Sequence, residues 1–323
     1  MVRGIANSKI GFGDLILLLR YFFKLKVSTH PNICALCHES KELKESHFIP
    51  KFVGKWLKKT SATGYLRNID NINKRQQDII KDYLLCNDCE LIFSSWEKQF
   101  SEKIFIPFLD QKIYIAEYKD WLAKFCASLS WRTLIYIKNK NSNFENESEY
   151  FIGQINLAEL NLRNFLLGKQ DNLYQYEQHI FPLSEIDTPS KSLNLPSNIN
   201  RYFLRSIGID VLQGDNHIYI FTKLPTFLIL GIVSSNFSSK MRASRVSLKQ
   251  GIFRPSTLVM PEYLLGYMRN KALEIQEKRE SMSDEQQNKI DKTALENLDK
   301  TADSKSFEAI MHDYNIFGNT IFK

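Results

Sequence analysis

The sequence predicts an α+β fold in which a small cysteine-containing module precedes a larger mixed domain and a helical C-terminal region. Three observations support this class. They are two C-x-x-C pairs in the first third of the chain, alternating apolar runs over residues 217–233, and apolar residues at helical spacing after Pro261. The expected organisation is an apolar helix at 1–30, the cysteine module at 31–108, an α+β domain at 109–275 and a charged helical tail at 276–323.

Composition excludes several classes of protein. Of the 323 residues 43% are hydrophobic and 24% are charged, which is enough apolar surface to bury a core and argues against wholesale disorder. No run of 18 uncharged apolar residues occurs, and the closest approach, Leu15–Leu25, is interrupted by Arg20 and Lys24. We therefore expect a cytoplasmic protein without a membrane-spanning helix.

Four of the five cysteines form two close pairs, Cys34 with Cys37 and Cys86 with Cys89. A chain without signs of secretion keeps its thiols reduced, so such pairs indicate metal binding rather than disulfides. Two residues between thiolates form a tight turn, and two such turns complete a tetrahedral Zn²⁺ site. A redox role would need one pair on a thioredoxin-like βαβ unit, which we do not find. We predict one structural zinc ion, and we expect Cys126 to be a buried inert thiol.

The 48 residues between the two cysteine pairs contain elements of their own. Pro50 precedes a predicted helix over residues 51–59, and residues 65–67 and 83–85 are predicted strands. After Cys89 a further helix is expected, because apolar residues recur at helical spacing. Its predicted apolar face consists of Leu91, Ile92, Trp96, Phe100 and Ile104.

The rest of the chain mixes strand and helix patterns. Alternation of apolar and polar residues predicts strands, and apolar residues three to four positions apart predict helices. The expected elements are a strand near Ile113 and Ile115, helices over 120–137 and 151–167, an antiparallel hairpin over 217–233, and a helix after Pro261.

Positive charge is concentrated in the cysteine module. Residues 41–81 contain ten lysines and arginines against four acidic residues, whereas the whole chain carries a net charge of +7. Such a concentration suits a polyanion, because each neutralised phosphate releases condensed counterions. A solvated basic face is the alternative. We predict a nucleic-acid face, for DNA rather than RNA, formed by Lys51, Lys55, Lys58, Lys59, Arg67, Lys74 and Arg75. Nearby Phe52, Trp56 and Tyr65 could stack on bases, but such residues more often fill a small core.

The segment around His47 resembles a known family. The string Ser46-His47-Phe48-Ile49-Pro50 follows the first cysteine pair, and strand, turn and strand then lead into Leu85-Cys86-Asn87-Asp88-Cys89-Glu90. This order is similar to that of the HNH endonucleases, which are ββα-metal nucleases with a zinc-stabilised, treble-clef-like frame. It also resembles bacterial proteins described only as HNH-like. The resemblance covers residues 31–100, under a third of the chain.

The resemblance implies a role for each matched position. His47 would be the general base that activates water, and Mg²⁺ or Mn²⁺ would stabilise the phosphodiester transition state. Two positions depart from the family pattern. Ser46 stands where an acidic or imidazole ligand is usual, and Glu90 replaces the closing His or Asn, although a carboxylate can also bind Mg²⁺.

The implied function is metal-dependent cleavage of nucleic acid, in bacterial defence by family analogy. The alternative is a catalytically inactive zinc module that recognises nucleic acid or protein. In either case residues 109–323 could contact a protein partner or a second copy of the chain.

Overall fold

The computed structural model describes residues 33–140, 144–187, 194–254 and 258–322. Strands and helices are interspersed along these ranges, so the predicted α+β class is confirmed. The apolar helix predicted over residues 1–30 lies outside the described residues. In the ranges that are described, no helix combines the length and the apolar character needed to cross a membrane.

The strands of the described ranges are β1 (Leu43–His47), β2 (Leu66–Asn68), β3 (Asn71–Gln76), β4 (Lys81–Cys86), β5 (Ala116–Lys119), β6 (Gln178–Pro182), β7 (Gly208–Gly214), β8 (His217–Leu224), β9 (Phe227–Ser235) and β10 (Gln250–Phe253). The α-helices of the same ranges are α1 (Lys51–Lys59), α2 (Asn87–Phe100), α3 (Ile106–Asp110), α4 (Trp121–Lys140), α5 (Glu149–Leu166), α6 (Ile199–Arg205), α7 (Glu262–Glu280), α8 (Asp284–Leu295), α9 (Leu298–Ala302) and α10 (Lys305–Phe317). A π-helical turn, Ser101–Phe105, joins α2 to α3 without a break.

The cysteine module is built on an antiparallel pair of strands, β1 and β4. Leu43 lies opposite Cys86 and His47 lies opposite Lys81, so the two strands run along each other over their whole length. Helix α2 starts immediately after β4, and Cys86 occupies its N-cap position. A second pair, β2 and β3, forms a separate hairpin between α1 and β4. The pairing therefore places the second cysteine pair at the junction of a strand and a helix.

Helix α1 has the bounds that the sequence predicts and is amphipathic. Val53, Trp56 and Leu57 are buried, while most of the lysines of this helix are exposed. Arg205 at the end of α6 closes its C-terminus, donating to the carbonyl oxygen of Leu57 (2.9 Å) and to Thr60 Oγ1 (2.6 Å). The same guanidinium lies 4.9 Å from the ring centroid of Trp56. The larger half of the chain therefore fixes the direction in which the lysines of α1 point.

The apolar face predicted for α2 is correct at Phe100 but wrong at its start. Leu91 and Ile92 are 62% and 39% exposed, whereas Cys89 and Phe93 are buried. Cys89 belongs to the first turn of α2 and faces the other cysteines. Because this residue sets which side of the helix faces inward, the neighbouring apolar positions are turned towards solvent.

A four-stranded antiparallel sheet in the order β6-β9-β8-β7 forms the centre of the larger half. It contains the hairpin predicted over residues 217–233, which is confirmed as β8 and β9. Successive side chains point to opposite faces. Ile220 and Ile229 join the core cluster that includes α4, and Phe221 and Leu230 join the cluster that includes α7. Both faces of the sheet are covered, which explains why the two strands are almost continuously apolar.

The strand predicted at Ile113 and Ile115 is wrong. These two side chains are 53% and 65% exposed, and the strand in this region, β5, begins at Ala116. β5 pairs with β10, which spans only four residues. The ladder therefore ends before it reaches the two isoleucines.

Phe108, the last residue of the predicted cysteine module, packs against the larger half. Its ring centroid lies 5.0 Å from that of Phe227 and 6.1 Å from that of Phe253. Two turns earlier in the same helical run, Phe100 stacks on Phe125 of α4 with 4.1 Å between ring centroids. One hydrophobic cluster therefore continues from the module into the sheet. The domain boundaries remain a prediction.

Two fully buried ionisable side chains attach the flanking helices to this core. Lys223 of β8 donates from Nζ to the carbonyl oxygens of Phe203 (2.7 Å) and Leu224 (2.8 Å), and burial lowers its pKa well below the usual range. Asp313 of α10 accepts a hydrogen bond from Nε of Arg201 on α6 at 2.7 Å. A buried polar or ionisable group needs such partners, so these contacts fix α6 against both the sheet and α10.

Candidate metal centre and nucleic-acid interface

The four paired cysteines meet at one point. The sulfur atoms of Cys34, Cys37, Cys86 and Cys89 all lie within 4.8 Å of one another, and the distance from Cys37 Sγ to Cys86 Sγ is 3.8 Å. Three of the four side chains are buried, and Cys37 is half-buried. Four thiolate donors at this spacing fit a tetrahedral metal such as zinc. In the ranges that the structure covers, this is the one group of three or more His, Cys, Asp or Glu side chains close enough to share an ion.

Backbone hydrogen bonds form the first cysteine turn and join it to the second. The N–H of His38 donates to the carbonyl oxygen of Cys34 (2.9 Å), and His38 has a left-handed backbone conformation with φ 62°. The N–H of Ala35 donates to the carbonyl oxygen of Leu84 (3.0 Å), two residues before Cys86. The two turns are therefore held side by side by backbone contacts as well as by any shared ion.

The thiols of the cluster have strongly shifted pKa values. A hydrogen bond from Cys89 lowers the pKa of Cys34 to about 4. Burial raises the pKa of Cys37 to about 11, and the hydrogen bond to Cys34 followed by burial raises the pKa of Cys89. Cys34 therefore gives up its proton more readily than Cys37 or Cys89. A divalent cation would remove this difference, since a coordinating thiol loses its proton to the metal.

Cys126 lies apart from this cluster. It is fully buried in α4, and burial raises the pKa of its thiol. A buried thiol in apolar surroundings is chemically inert. The structure thus separates the four predicted ligands from the fifth cysteine in the way that the sequence indicates.

His47 ends β1 with its ring held by a carboxylate. Its Nε2 lies 3.2 Å from Oδ2 of Asp78, and its side chain is 10% exposed. Burial acts to raise the pKa of Asp78, but hydrogen bonds from His47 and from the backbone N–H of Ile79 lower it overall. An ionised carboxylate can only accept, so the neutral imidazole carries its proton on Nε2 and presents the lone pair of Nδ1.

Glu90 lies in the first turn of α2, and two turns further along the same helix is Glu97. Glu97 Oε1 is 2.8 Å from Nη1 of Arg132 on α4. Burial raises the pKa of Glu97 although Arg132 opposes this, and the charge of Glu90 raises it further while that of His47 lowers it. Glu90 and His47 are therefore both within electrostatic range of Glu97.

Three oxygen-bearing side chains on β1 and β4 have partners of their own. Ser46 is buried, and its Oγ accepts a hydrogen bond from the backbone N–H of Leu85 (3.2 Å). Glu45 pairs with Lys81 at 2.7 Å, and Asp82 pairs with Lys140 at 3.0 Å. The described residues hold no second group of three ligands beside the cysteines. The residues near His47 therefore give no support to a preformed Mg²⁺ or Mn²⁺ site.

The ten cations of residues 41–81 divide into two sets. Lys41, Lys44 and Lys81 each form an ion pair with an acidic side chain at 2.7 Å. The other seven form no salt bridge with any described residue. They are Lys51, Lys55, Lys58, Lys59, Arg67, Lys74 and Arg75, and we refer to them below as the basic face.

The members of the basic face differ in their accessibility. Lys51, Lys55 and Lys59 are exposed along one side of α1, and Lys74 is exposed on β3. Lys58 donates to the carbonyl oxygen of Gln77 at 2.5 Å, which ties α1 to the chain that follows β3. The four exposed lysines therefore lie on α1 and on the hairpin that follows it.

Two arginines of the basic face also have structural contacts. Arg75 lies over the ring of Tyr65, 4.7 Å from its centroid. Arg67 is half-buried, donates to the carbonyl oxygen of Ile72 (3.0 Å), and has a pKa lowered by burial and by the charge of Arg75. Trp56, predicted to be either a stacking platform or a core residue, is a core residue whose Nε1 donates to Asp110 Oδ1 (3.0 Å).

Sequence reasoning did not identify Asp78, Glu97 or Arg132 as parts of this region. No local pattern marks Asp78, because its approach to His47 depends on the path of the chain between β3 and β4. The sequence around Arg132 does indicate a buried contact, because Arg132 is a single cation within a long apolar stretch of α4. A buried arginine requires a partner.

Comparison of the chain with protein-family models, curated proteins and solved structures gave no match.

Proposed function

We propose that this chain is a zinc-stabilised nucleic-acid-binding protein whose cysteine module presents the basic face to a phosphate backbone. The observation that carries the proposal is that seven cations within a single segment have no acidic partner among the described residues. Where acids lie near, lysines of the same segment pair with them, as Lys44 does with Glu42. Cations left unpaired on one helix and one hairpin are suited to an external polyanion.

The order of elements supports an HNH-like, treble-clef-like frame as part of this proposal. A cysteine turn is followed by β1, by α1 and the β2–β3 hairpin, and then by β4, which leads the second cysteine pair into α2. Zn²⁺ held by the four thiolates would supply folding energy and no chemistry.

Binding can be tested directly with the full chain. Fluorescence anisotropy with a 20-base-pair DNA duplex and with a single-stranded RNA of equal length, over a range of salt, measures affinity and its salt dependence. We expect tighter binding to the duplex and a logarithmic affinity that falls linearly with the logarithm of salt concentration. Binding that does not change with salt, or none at low salt, would contradict the proposal.

A second candidate function is phosphodiester hydrolysis with His47 as general base. The observation that favours it is the contact between His47 Nε2 and Asp78, which makes the lone pair of Nδ1 the acceptor for a proton from water. In this step the water oxygen bonds to phosphorus and its proton passes to Nδ1. The phosphorus–oxygen bond to the leaving sugar breaks, and that oxygen takes a proton from solvent.

The same geometry limits this candidate. The carboxylates within electrostatic range of His47 do not form a ready divalent-cation site. If cleavage needs a divalent cation, the remaining ligands of that cation have to come from phosphate oxygens of the bound nucleic acid or from a movement of Glu90. Incubating the protein with plasmid DNA and with RNA in the presence of Mg²⁺ or Mn²⁺, beside His47→Ala, separates this function from binding alone.

A further inference from the structure

Arg132 contacts the end of β1 from outside the segment that resembles the HNH family. It belongs to α4, is 3% exposed, and donates from Nη1 to the backbone carbonyl oxygen of His47 at 2.8 Å. The same nitrogen lies 2.8 Å from Oε1 of Glu97, and the guanidinium lies 5.3 Å from the ring centroid of Phe93. One side chain of the larger half therefore contacts both the strand of His47 and the helix of Glu90.

The ion pair between Arg132 and Glu97 joins only α2 and α4, and the contact to His47 is separate from it. Burying a guanidinium is unfavourable unless its charge and its N–H groups are satisfied. The carboxylate of Glu97 supplies the charge, and the backbone oxygen of Ser128 on the same helix accepts from Nε (3.3 Å). The additional hydrogen bond to His47 adds β1 to a contact that would otherwise join only α2 and α4.

His47 is consequently held at two points. Asp78 fixes its imidazole ring through Nε2, and Arg132 fixes its backbone through the carbonyl oxygen. Lys81, opposite His47 on β4, lies 3.6 Å from Asp78 and restrains that carboxylate in turn. A general base has to be placed within hydrogen-bond reach of its water, and a displacement of about 1 Å can cost ~10²-fold in rate.

We propose that Arg132 is a positioning residue for His47, and that the larger half of the chain thereby completes the candidate catalytic site of the cysteine module. This inference rests on the second candidate function for its chemical meaning. Its structural content, that Arg132 holds the backbone of His47 where the ring reaches Asp78, can be measured whether or not the protein cleaves nucleic acid.

The test compares two matched variants, Arg132→Lys and Arg201→Lys. Both replace a largely buried arginine that binds one carboxylate and a backbone carbonyl, since Arg201 binds Asp313 and the carbonyl oxygen of Ser197 (3.0 Å). Lysine keeps the charge but lacks the planar fork that reaches two acceptors at once. Only the first variant should affect His47.

Nitrogen-15 spectra of the histidine rings, recorded on the zinc-loaded full chain, report which ring nitrogen of His47 carries the proton. In the wild type and in Arg201→Lys we expect a single form protonated on Nε2. In Arg132→Lys we expect a mixture of the two tautomers, because β1 loses its backbone anchor and the His47 ring no longer stays within hydrogen-bond distance of Asp78. The double variant Arg132→Gln/Glu97→Gln, which removes both buried charges together, should give the same mixture if the single variant does not fold.

Binding and cleavage give a second, independent readout. DNA affinity should stay within about twofold of the wild type in Arg132→Lys, because no cation of the basic face changes, while cleavage at saturating DNA should fall ~10- to 100-fold. An unchanged His47 spectrum in a folded Arg132 variant, or an equal change in Arg201→Lys, would overturn the inference. Absence of cleavage by the wild type would instead remove the second candidate function, and the spectra would still decide the role of Arg132.

Discussion

The backbone N–H of Ala35 donates to the carbonyl oxygen of Leu84 across 3.0 Å, which joins the first cysteine turn to the strand that carries the second. This contact brings together two segments separated by 48 residues. It explains how sulfur atoms from both pairs approach within 4.8 Å. A single hydrogen bond contributes only about 1 kcal/mol. A zinc ion shared by the four sulfur atoms would add far more to the energy that keeps the turns closed.

Replacing any one of the four clustered cysteines by serine should leave the module unfolded or aggregated. Apparent binding free energies of structural zinc are ~10–16 kcal/mol, as large as the whole stability of a typical domain. We expect one zinc per chain in the wild type by plasma emission spectrometry, and loss of zinc in Cys34→Ser or Cys89→Ser. Cys126→Ser is the matched control, because it also changes a buried thiol but should retain the metal. Well-folded wild-type protein without zinc would contradict this prediction.

Neutralising Lys51, Lys55 and Lys59 together with glutamine should weaken DNA binding and reduce its salt dependence. Each lost phosphate contact lowers the slope of log affinity against log salt by about one unit. The triple variant should therefore have a slope shallower by up to about three units in anisotropy titrations.

The control for this variant removes equal charge from lysines that already have partners. Lys271, Lys289 and Lys292 pair with Glu274, Glu285 and Glu296 on α7 and α8 or directly after α8. Their triple replacement by glutamine should change affinity and slope much less. An equal loss in both triple variants would indicate a general charge effect and not a defined face.

If the protein cleaves nucleic acid, His47→Ala should remove detectable cleavage while leaving zinc content and folding intact. Loss of a general base typically costs ~10² to 10⁴ in rate. Asp78→Asn should also lower the cleavage rate, because an amide can hold either tautomer of the His47 ring. Glu90→Gln tests whether the Glu90 carboxylate takes part in cleavage. His312→Ala on α10 serves as the control for loss of an imidazole. A His47→Ala protein that cuts as fast as the wild type would leave nucleic-acid binding as the sole function.

Gly231→Ala should destabilise the protein by displacing α4 from the sheet. A Cβ at this position of β9 would lie 2.5 Å from Ser130 Oγ and 3.1 Å from Ser130 Cβ, both on α4. Overpacking of this kind costs ~1–3 kcal/mol, measurable as a lower urea midpoint.

Gly153→Ala should instead increase the stability of the protein. Gly153 lies inside α5, and a Cβ there would meet no neighbouring atom within 4 Å beyond the adjacent backbone of its own helix. Alanine should therefore stabilise the helix by ~0.5–1 kcal/mol, since glycine loses more backbone freedom on folding. Equal effects of the two substitutions on the urea midpoint would show that the packing of α4 on β9 is not as close as described.

The elements set by local patterns could be predicted from the sequence. Helix α1 has its predicted bounds because Val53, Trp56 and Leu57 repeat at helical spacing behind Pro50. The grouping of the four paired cysteines could also be predicted, because the chemistry of paired thiols depends little on the surrounding fold.

The contacts of the candidate site could not be predicted in the same way. Asp78 reaches His47 across 31 positions and Arg132 reaches it across 85, so both contacts depend on tertiary packing. The exposure of Leu91 has a similar origin, since the cysteine cluster fixes the rotation of α2. The division of the cations into paired and unpaired sets likewise depends on which acidic side chains the fold brings near each of them.

The burial of Lys223 gives this protein a built-in reference for chemical footprinting. Its amine is enclosed by backbone carbonyls, whereas Lys51, Lys55 and Lys74 are open to solvent. An acylating reagent read out by peptide mass spectrometry would therefore modify the outer lysines first and Lys223 only after the sheet opens. If bound DNA protects the outer lysines while Lys223 stays unmodified, the protection reports that DNA occupies this surface. Unfolding would then make no contribution to the result.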